Sequence, residues 1–205
     1  MNNYNSEKMK KAFSSLKTIN KEFLSSYQDG YIGKRVYRVT LEDGSSRICE
    51  QITKNNENGD AVVIIPITEE SNFVMIVQSR PNTNETVLLE LPAGMVDNGE
   101  KNKDAALREL VEETGYVPSN IYELEWHYQD QGCSSAVVRT FVAEGCKKIQ
   151  EKHEDLRERL EYIEMNYDDI LSCIKNNTTT EAIKDANTKI AILEYIMKKR
   201  GIYNE

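Results

Sequence analysis

The 205-residue sequence has only four cysteines, and they form no pattern that builds a disulfide framework or a zinc site. No two of them are spaced as a CxxC pair, the usual signature of structural zinc ligands. The N-terminus, which reads MNNYNSEKMKKAF, lacks the apolar segment and the cleavage site of a secretory signal. We therefore expect a cytoplasmic protein with reduced, mostly buried thiols at Cys49, Cys133, Cys146 and Cys173.

Long apolar runs, histidine clusters and an excess of positive charge are also missing. The most apolar stretch, residues 61–67, is far shorter than the roughly 18 residues of a membrane span, so we expect no membrane association. The two histidines, His127 and His153, have no partner cluster from which a triad or zinc site could be built. The formal net charge of -8 argues against a nucleic-acid partner, because phosphate backbones repel an acidic protein. A phosphate-bearing ligand would need a metal ion or a few local cations.

Hydrophobic spacing predicts strands that are interspersed with and followed by helices. Apolar residues at steps of three and four predict an N-terminal helix over 3–24. Short β-branched stretches predict strands in most of the chain between residues 34 and 91. The predicted strands are 34–41, 47–52, 61–67, 73–78, 86–91, 122–128, 136–143 and 160–165, and the later helices are 102–114, 168–176 and 180–200. This order favours an α+β fold, with a helical extension at 1–30 and one main domain at 31–205.

The segment 94–115 carries the residues best suited to chemistry. Glu109, Glu112 and Glu113 are spaced i, i+3 and i+4, so three carboxylates project from one face of the predicted helix. Their repulsion costs helix stability unless a cation lies among them, and carboxylate oxygens suit Mg²⁺ or Mn²⁺. Arg108 is expected to pair with Glu100 and so to fix the preceding loop against the helix. A solvated acidic helix face is the alternative interpretation.

The spacing of the whole segment is that of the Nudix box. Gly94, five residues, Glu100, seven residues and then Arg-Glu-Leu-Val-Glu-Glu-Thr-Gly fill every charged and glycine position of that motif. The sequence therefore resembles the Nudix hydrolase family. The one departure is Tyr116, where the family usually has an aliphatic residue, and it concerns packing where the helix ends.

Segments outside the box are similar to the ADP-ribose pyrophosphatase branch of that family. The similar segments are Gln78-Ser79-Arg80, Leu89-Glu90-Leu91-Pro92-Ala93-Gly94, the glycine loop Gly132-Cys133-Ser134 and an acidic loop at 157–161. The resemblance covers about residues 34–200. It implies an α/β/α sandwich around a mixed sheet and a homodimer with strands shared across the interface. It also implies hydrolysis of a diphosphate by water with Mg²⁺, or Mn²⁺, as the cofactor.

The resemblance implies roles for individual residues as well. Glu109 and Glu113 are similar to the principal metal ligands, and Glu112 to a further ligand or to a base acting through a water on the metal. Glu158 is the candidate catalytic carboxylate of the later loop. The other assignments are the Ala93 carbonyl as a metal ligand, Arg80, Glu50 and Gly132 as substrate contacts, and Glu154, Asp155 and Glu161 as alternates to Glu158.

Two positions depart from the ADP-ribose pattern. Asp130-Gln131 stands where that branch usually has a proline, and Cys49 stands where some members stack adenine on an aromatic ring. Tyr31 or Tyr37 would have to replace that ring, since cysteine cannot stack a base.

These departures leave three hypotheses open. The first is a hydrolase of ADP-ribose or a related nucleoside diphosphate sugar, which gives a nucleoside monophosphate and a sugar phosphate. The second is a hydrolase of a modified nucleoside triphosphate or a dinucleotide. The third is a non-catalytic Nudix domain that senses a nucleotide, and the intact set of carboxylates argues against it.

Overall fold

The structure is a computed structural model, and it describes residues 6–151, 159–176 and 178–202. Contacts along the chain divide these residues into two compact units. The N-terminal unit contains the described residues up to Gly59 together with 130–136, and the C-terminal unit contains 60–129 and the residues from Val137 onward. No helix in the described ranges is long and apolar enough to cross a membrane.

The described part of the N-terminal unit is a short helix followed by an antiparallel sheet. Its elements are α1 (Ser6–Ser15), β1 (Thr18–Asp29), β2 (Ile32–Leu41) and β3 (Ser46–Lys54), with β2 in the middle of the sheet. The prediction of one helix over 3–24 was therefore wrong from Thr18 onward. Ile19 and Phe23 are four residues apart, and a step of four keeps side chains on one face of a strand as well as of a helix. The β-branched residues at 18 and 19 favour the strand.

The C-terminal unit is built on a mixed sheet. Its strands are β4 (Ala61–Thr68), β5 (Phe73–Arg80), β6 (Thr86–Glu90), β7 (Ala93–Met95), β8 (Tyr116–Val117), β9 (Asn120–Tyr128), β10 (Val137–Lys148) and β11 (Leu160–Met165). The main order is β11-β5-β4-β10-β8, while β6 pairs with β5, β7 with β4 and β9 with β10. β10 runs parallel to β4, whereas β5 and β7 run antiparallel to it. Every predicted strand is present, but β7 and β8 were missed because two or three residues carry no readable periodicity.

Helices cover both faces of this sheet. Helix α2 (Asn102–Thr114) packs on one face, and α3 (Tyr167–Lys175) and α4 (Ala186–Lys199) pack on the other. Side chains alternate along β4, so Val62 and Ile64 lie in the α2 core while Val63 and Ile65 lie in the core of α3 and α4. All four are at most 2% exposed. The α/β/α sandwich is therefore confirmed.

Helix α4 begins later than the predicted residue 180. Asp185 is its N-cap, and its carboxylate accepts a hydrogen bond from the backbone N–H of Thr188 at 2.7 Å. An aspartate at this position favours helix initiation directly after it. The apolar spacing of Ala182 and Ile183 extended the prediction across the turn that precedes the cap.

The four cysteines are free thiols, as expected, but only Cys146 is buried. Burial raises the pKa of its thiol to about 11, which keeps it protonated at neutral pH. Cys49, Cys133 and Cys173 are partly exposed, so the expectation of mostly buried thiols was wrong for these three.

Candidate active site

Two of the three glutamates on α2 are buried. Glu109 and Glu113, one turn apart, are 9% and 4% exposed, whereas the Glu112 side chain is 47% exposed. Ala106 and Leu110 pack against the sheet and fix which side of the helix faces inward. The alternative of a solvated acidic face therefore does not hold for Glu109 and Glu113.

Arg108 binds carboxylates on both sides of its guanidinium group. Its Nε and Nη2 donate to the two oxygens of Glu100 at 3.0 and 2.9 Å, which confirms the expected pair. Its Nη1 donates to Glu109 at 2.6 Å and to Glu112 at 3.2 Å, and Nη2 also donates to the Met95 carbonyl at 3.0 Å. The hydrogen bond to Arg108 lowers the pKa of Glu100. The pair of Glu100 with Arg108 therefore stabilises the folded protein above the pKa of an unfolded glutamate, about 4.3. This contribution is lost as the pH falls through the lower pKa that Glu100 has in the folded protein.

The turn that leads into β7 lies against the buried glutamates. The backbone N–H of Ala93 donates to Glu113 Oε2 at 2.9 Å. A Cβ on Gly94 would overlap the carboxylate of Glu109, so the absence of a side chain lets that carboxylate lie against the backbone. Pairing of Gly94 with Val62 of β4 holds the turn on the sheet. The fold thus brings Ala93, Glu109 and Glu113 together, while the metal-ligand role of the Ala93 carbonyl stays a prediction.

Arg80 is oriented by a buried glutamate that sequence reasoning gave no role. Its Nε and Nη2 donate to the two oxygens of Glu90 at 2.9 and 2.7 Å, and Glu90 is only 4% exposed. The hydrogen bond to Glu90 raises the pKa of Arg80, and the charges of Asp185 and Glu113 act in the same direction. Among the described residues, nothing accepts a hydrogen bond from Nη1 of Arg80, so one edge of the guanidinium is available to a ligand. A lone acid in the apolar stretch TVLLEL is the signal that could have identified Glu90.

The end of α2 is joined to the segment that follows β10. Gly115 has φ of 75°, and its N–H donates to the Val111 carbonyl, as expected for a glycine after the last helical turn. Its carbonyl accepts from Ile149 at 3.0 Å and from Gln150 at 3.4 Å. A Cβ on Gly115 would overlap the Gln150 carbonyl, so this contact also requires glycine.

The predicted catalytic Glu158 lies outside the described residues, as do its alternates Glu154 and Asp155. Glu161, the remaining alternate, is in β11 and pairs with Val77 of β5. The identity of the loop carboxylate therefore stays a prediction.

Two predicted substrate contacts belong to the N-terminal unit. Glu50 in β3 forms an ion pair with Lys34 at 2.7 Å, and both side chains are about half exposed. The N–H of Gly132 donates to Asp130 Oδ1 at 3.2 Å. The loop that contains Gly132 is held on β3, because the N–H of Ile52 donates to the carbonyl of Cys133 at 2.7 Å. The substrate roles of Glu50 and Gly132 stay predictions.

The hydrogen-bond networks of Arg80, Arg108 and the Ala93 N–H contain more negative than positive charge. The carboxylates are those of Glu90, Glu100, Glu109, Glu112 and Glu113, and the cations are Arg80 and Arg108. Buried carboxylates require compensating charge, and a divalent cation that prefers oxygen ligands supplies it. The donor set therefore fits such an ion. In the part of the chain that the structure describes, no three acidic, His or Cys side chains already lie close enough to hold a metal. Arg108 binds three of these carboxylates, those of Glu100, Glu109 and Glu112, and the Ala93 N–H binds that of Glu113.

Thr188 of α4 supports the β6–β7 segment from the other face of the sheet. Its hydroxyl accepts a hydrogen bond from the backbone N–H of Leu91 at 3.0 Å, and both residues are at most 1% exposed. Thr188→Val keeps the shape but leaves that buried N–H without an acceptor. We expect a loss of about 1–3 kcal/mol in the free energy of unfolding, measured by urea denaturation.

Thr188→Ser is the matched control for this effect. It retains the acceptor and removes one methyl group, so the Leu91 amide should stay protected from hydrogen exchange in Thr188→Ser and lose protection in Thr188→Val. A Thr188→Val protein as stable as the wild type would contradict this role for the hydroxyl.

The chain belongs to the NUDIX family, since the NUDIX domain model matches residues 57–184. This range contains Arg80, the turn at Gly94 and all of α2. Enzymes of the family generally use divalent metal ions, which agrees with the donor set described above.

Matches to individual proteins narrow the class further. The chain is 31% identical over 187 residues to the ADP-ribose pyrophosphatase of Bacillus subtilis (strain 168), which covers 91% of this chain and 95% of that protein. It is 35% identical over 143 residues to the methanol dehydrogenase activator of Bacillus methanolicus, which covers 69% of this chain and 74% of that one. A crystal structure of an ADP compounds hydrolase matches with a TM-score of 0.71 at 19% identity, over 92% of this chain and 97% of that chain. This last match confirms the fold. The family model and the match to the Bacillus subtilis protein make the chain a Nudix hydrolase similar to an ADP-ribose pyrophosphatase.

Proposed function

We propose that the chain hydrolyses the diphosphate bond of ADP-ribose, or of a related nucleoside diphosphate sugar, with Mg²⁺ as cofactor and Mn²⁺ as the alternative. ADP-ribose and one water molecule would give AMP and ribose 5-phosphate. The observation that carries the proposal is the buried pair Glu109 and Glu113 at the Gly94 turn, in a chain 31% identical to an ADP-ribose pyrophosphatase. A cytoplasmic homodimer, with 31–205 as its hydrolase domain, belongs to the same proposal.

Glu109, Glu113 and the Ala93 carbonyl would hold the metal, with Glu112 as a further ligand where it is not the base. The metal would offset charge on the diphosphate oxygens and lower the pKa of water. Arg80, held in orientation by Glu90, donates through its available edge to a phosphate oxygen. Glu112 is the most exposed of the three helix carboxylates and accepts the proton of the attacking water. Glu158 is the second candidate for this base.

A different nucleotide substrate is the second candidate function, and the surroundings of Tyr37 favour it. Tyr37 pairs with Cys49 across β2 and β3, next to the position where an adenine-stacking ring is missing. Lys21 Nζ lies 4.0 Å from the centroid of its ring, and the ring of Phe23 packs edge-on at 5.8 Å. These contacts occupy the ring of Tyr37. Of the two tyrosines considered for stacking, this leaves Tyr31, which is 49% exposed.

Product analysis with the full chain tests both candidates. ADP-ribose with Mg²⁺ should give AMP and ribose 5-phosphate in equal amounts, and EDTA should abolish the reaction. In a panel with GDP-mannose, a dinucleotide and an oxidised nucleoside triphosphate, ADP-ribose should have the highest kcat/KM. Turnover of another nucleotide without AMP formation from ADP-ribose would support the second candidate. No turnover with either metal would contradict catalysis and favour a nucleotide sensor.

The proposed homodimer is tested separately. Light scattering should give twice the chain mass, and a monomer would contradict the homodimer.

A further inference from the structure

A cavity of about 520 Å³ opens in the C-terminal unit where β4 ends, and side chains of β4, β5, β10, α3 and α4 line it. We call it the distal cavity. Its wall includes Thr68, which is five residues along β4 from Val63, the partner of Ala93 in β7. A rise of roughly 3.3 Å per residue separates these two positions by about 17 Å. The distal cavity therefore lies at the other end of the strand from the candidate active site. Its volume is within the roughly 300–1,000 Å³ of small-molecule sites.

Aromatic rings form the apolar wall of the distal cavity. The ring of Phe73 lies 5.9 Å from that of Tyr195, edge-on, and 6.5 Å from that of Tyr167. Within the described residues, neither tyrosine hydroxyl has a hydrogen-bond partner. Burial, with Glu144 and Tyr167 nearby, raises the pKa of Tyr195 to about 12, so its hydroxyl is a donor at neutral pH. The wall thus offers contact to an apolar, planar group and donors to a polar one.

Two acidic and two basic side chains line the distal cavity, and one of the two basic side chains has no ion-pair partner among the described residues. Glu69 is paired with Lys147 at 3.0 Å, and Glu144 lies 3.8 Å from Lys199. Arg200, which also lines the distal cavity, forms no ion pair with any residue that the structure describes. A cation without an ion-pair partner in the described part of the chain favours an anionic ligand at this position. Guanidinium geometry matches a phosphate group in particular.

We propose that the distal cavity binds an aromatic organic phosphate of the nucleoside 5′-monophosphate class. The planar base contacts the wall formed by Phe73 and Tyr167, because Lys199 Nζ already lies 5.5 Å from the centroid of the Tyr195 ring. The phosphate group accepts hydrogen bonds from Arg200 and the tyrosine hydroxyls. The choice of AMP as the probe rests on the proposed function, in which AMP is the nucleotide product. Binding at the distal cavity does not itself require hydrolysis, so the two proposals can fail separately.

Nuclear magnetic resonance of the full chain in EDTA locates the binding. Titration with AMP should shift the backbone amides of Ser71, Gly145 and Arg200, which line the distal cavity, by more than that of Gly94. Adenosine and inorganic phosphate, each offering half of the ligand, should bind at least about tenfold more weakly than AMP. Shifts confined to the Gly94 turn and α2, or equal affinities for adenosine and AMP, would overturn the proposal.

Two substitutions at the end of α4 test the cation. Arg200→Gln should weaken AMP binding about tenfold, because a charge-assisted hydrogen bond is lost. Lys198→Gln removes the same charge two residues away, from a side chain that lies over Tyr122 and does not line the distal cavity, and should change affinity less than about twofold. Equal losses of AMP affinity in both variants would show that only the net charge of the protein matters, and they would overturn the proposal. If the wild-type protein binds AMP but does not hydrolyse ADP-ribose, only the proposed function is contradicted.

Discussion

Glu113→Gln is expected to lower kcat for the diphosphate substrate at least about a hundredfold while the protein stays folded. The amide oxygen of glutamine can still accept the hydrogen bond of the Ala93 N–H, which Glu113 Oε2 now accepts at 2.9 Å. The substitution removes the negative charge that the proposed metal requires. A hundredfold loss corresponds to about 3 kcal/mol of transition-state stabilisation, which is within the range attributed to metal ions. The measurement is steady-state hydrolysis at saturating Mg²⁺, with thermal unfolding recorded in parallel.

Asp104→Asn is the matched control, since it removes one negative charge from the exposed first turn of the same helix. It should leave kcat within about twofold of the wild type, because an exposed charge acts on the site only through solvent. Unchanged hydrolysis in Glu113→Gln would contradict the metal-ligand role. Equal losses in both variants would point to the net charge of α2 rather than to this carboxylate.

The features predicted well from the sequence are those fixed by local spacing. Helix α2 begins and ends where its apolar residues and Gly115 indicate, and the i, i+3 and i+4 positions of its glutamates follow from the helix itself. The pairing of Arg108 with Glu100 was also predictable, because the two lie on a helix and on the short loop that precedes it. Local geometry alone therefore specifies a large part of the candidate site.

The features missed are those decided by contacts distant in sequence. Glu90 and Arg80 meet because β5 and β6 are neighbours, and nothing within either strand indicates which side chain faces which. Strand β1 is exposed along nearly its whole length, so it shows no alternation of burial to distinguish it from a helix. Thr188 contacts Leu91 across 97 residues of chain. Such contacts follow from the packing of the sheet and not from any periodicity.

Gly94→Ala is expected to lower kcat by about a hundredfold with only a small effect on stability. The φ of Gly94 is not in the left-handed region, so alanine can adopt the backbone conformation. The added Cβ would overlap the carboxylate of Glu109, and the side chain must move because the backbone is held by β4. Arg108 holds that carboxylate at 2.6 Å, so the movement displaces a proposed metal ligand within an ordered network. A misplacement of about 1 Å at a reacting centre costs about a hundredfold in rate.

Gly99→Ala in the same segment is the control, because it should affect stability and not kcat. Gly99 has φ of 81° and no atom within 4 Å of an added Cβ, so the substitution strains the backbone without touching a carboxylate. We expect it to cost about 1–2 kcal/mol of stability and to leave kcat nearly unchanged. Shortening the displaced side chain in a Gly94→Ala, Glu109→Asp double variant should recover part of the lost activity, because the overlap is relieved. If Gly94→Ala instead lost stability and kept its kcat, the carboxylate of Glu109 would be acting in packing and not as a metal ligand.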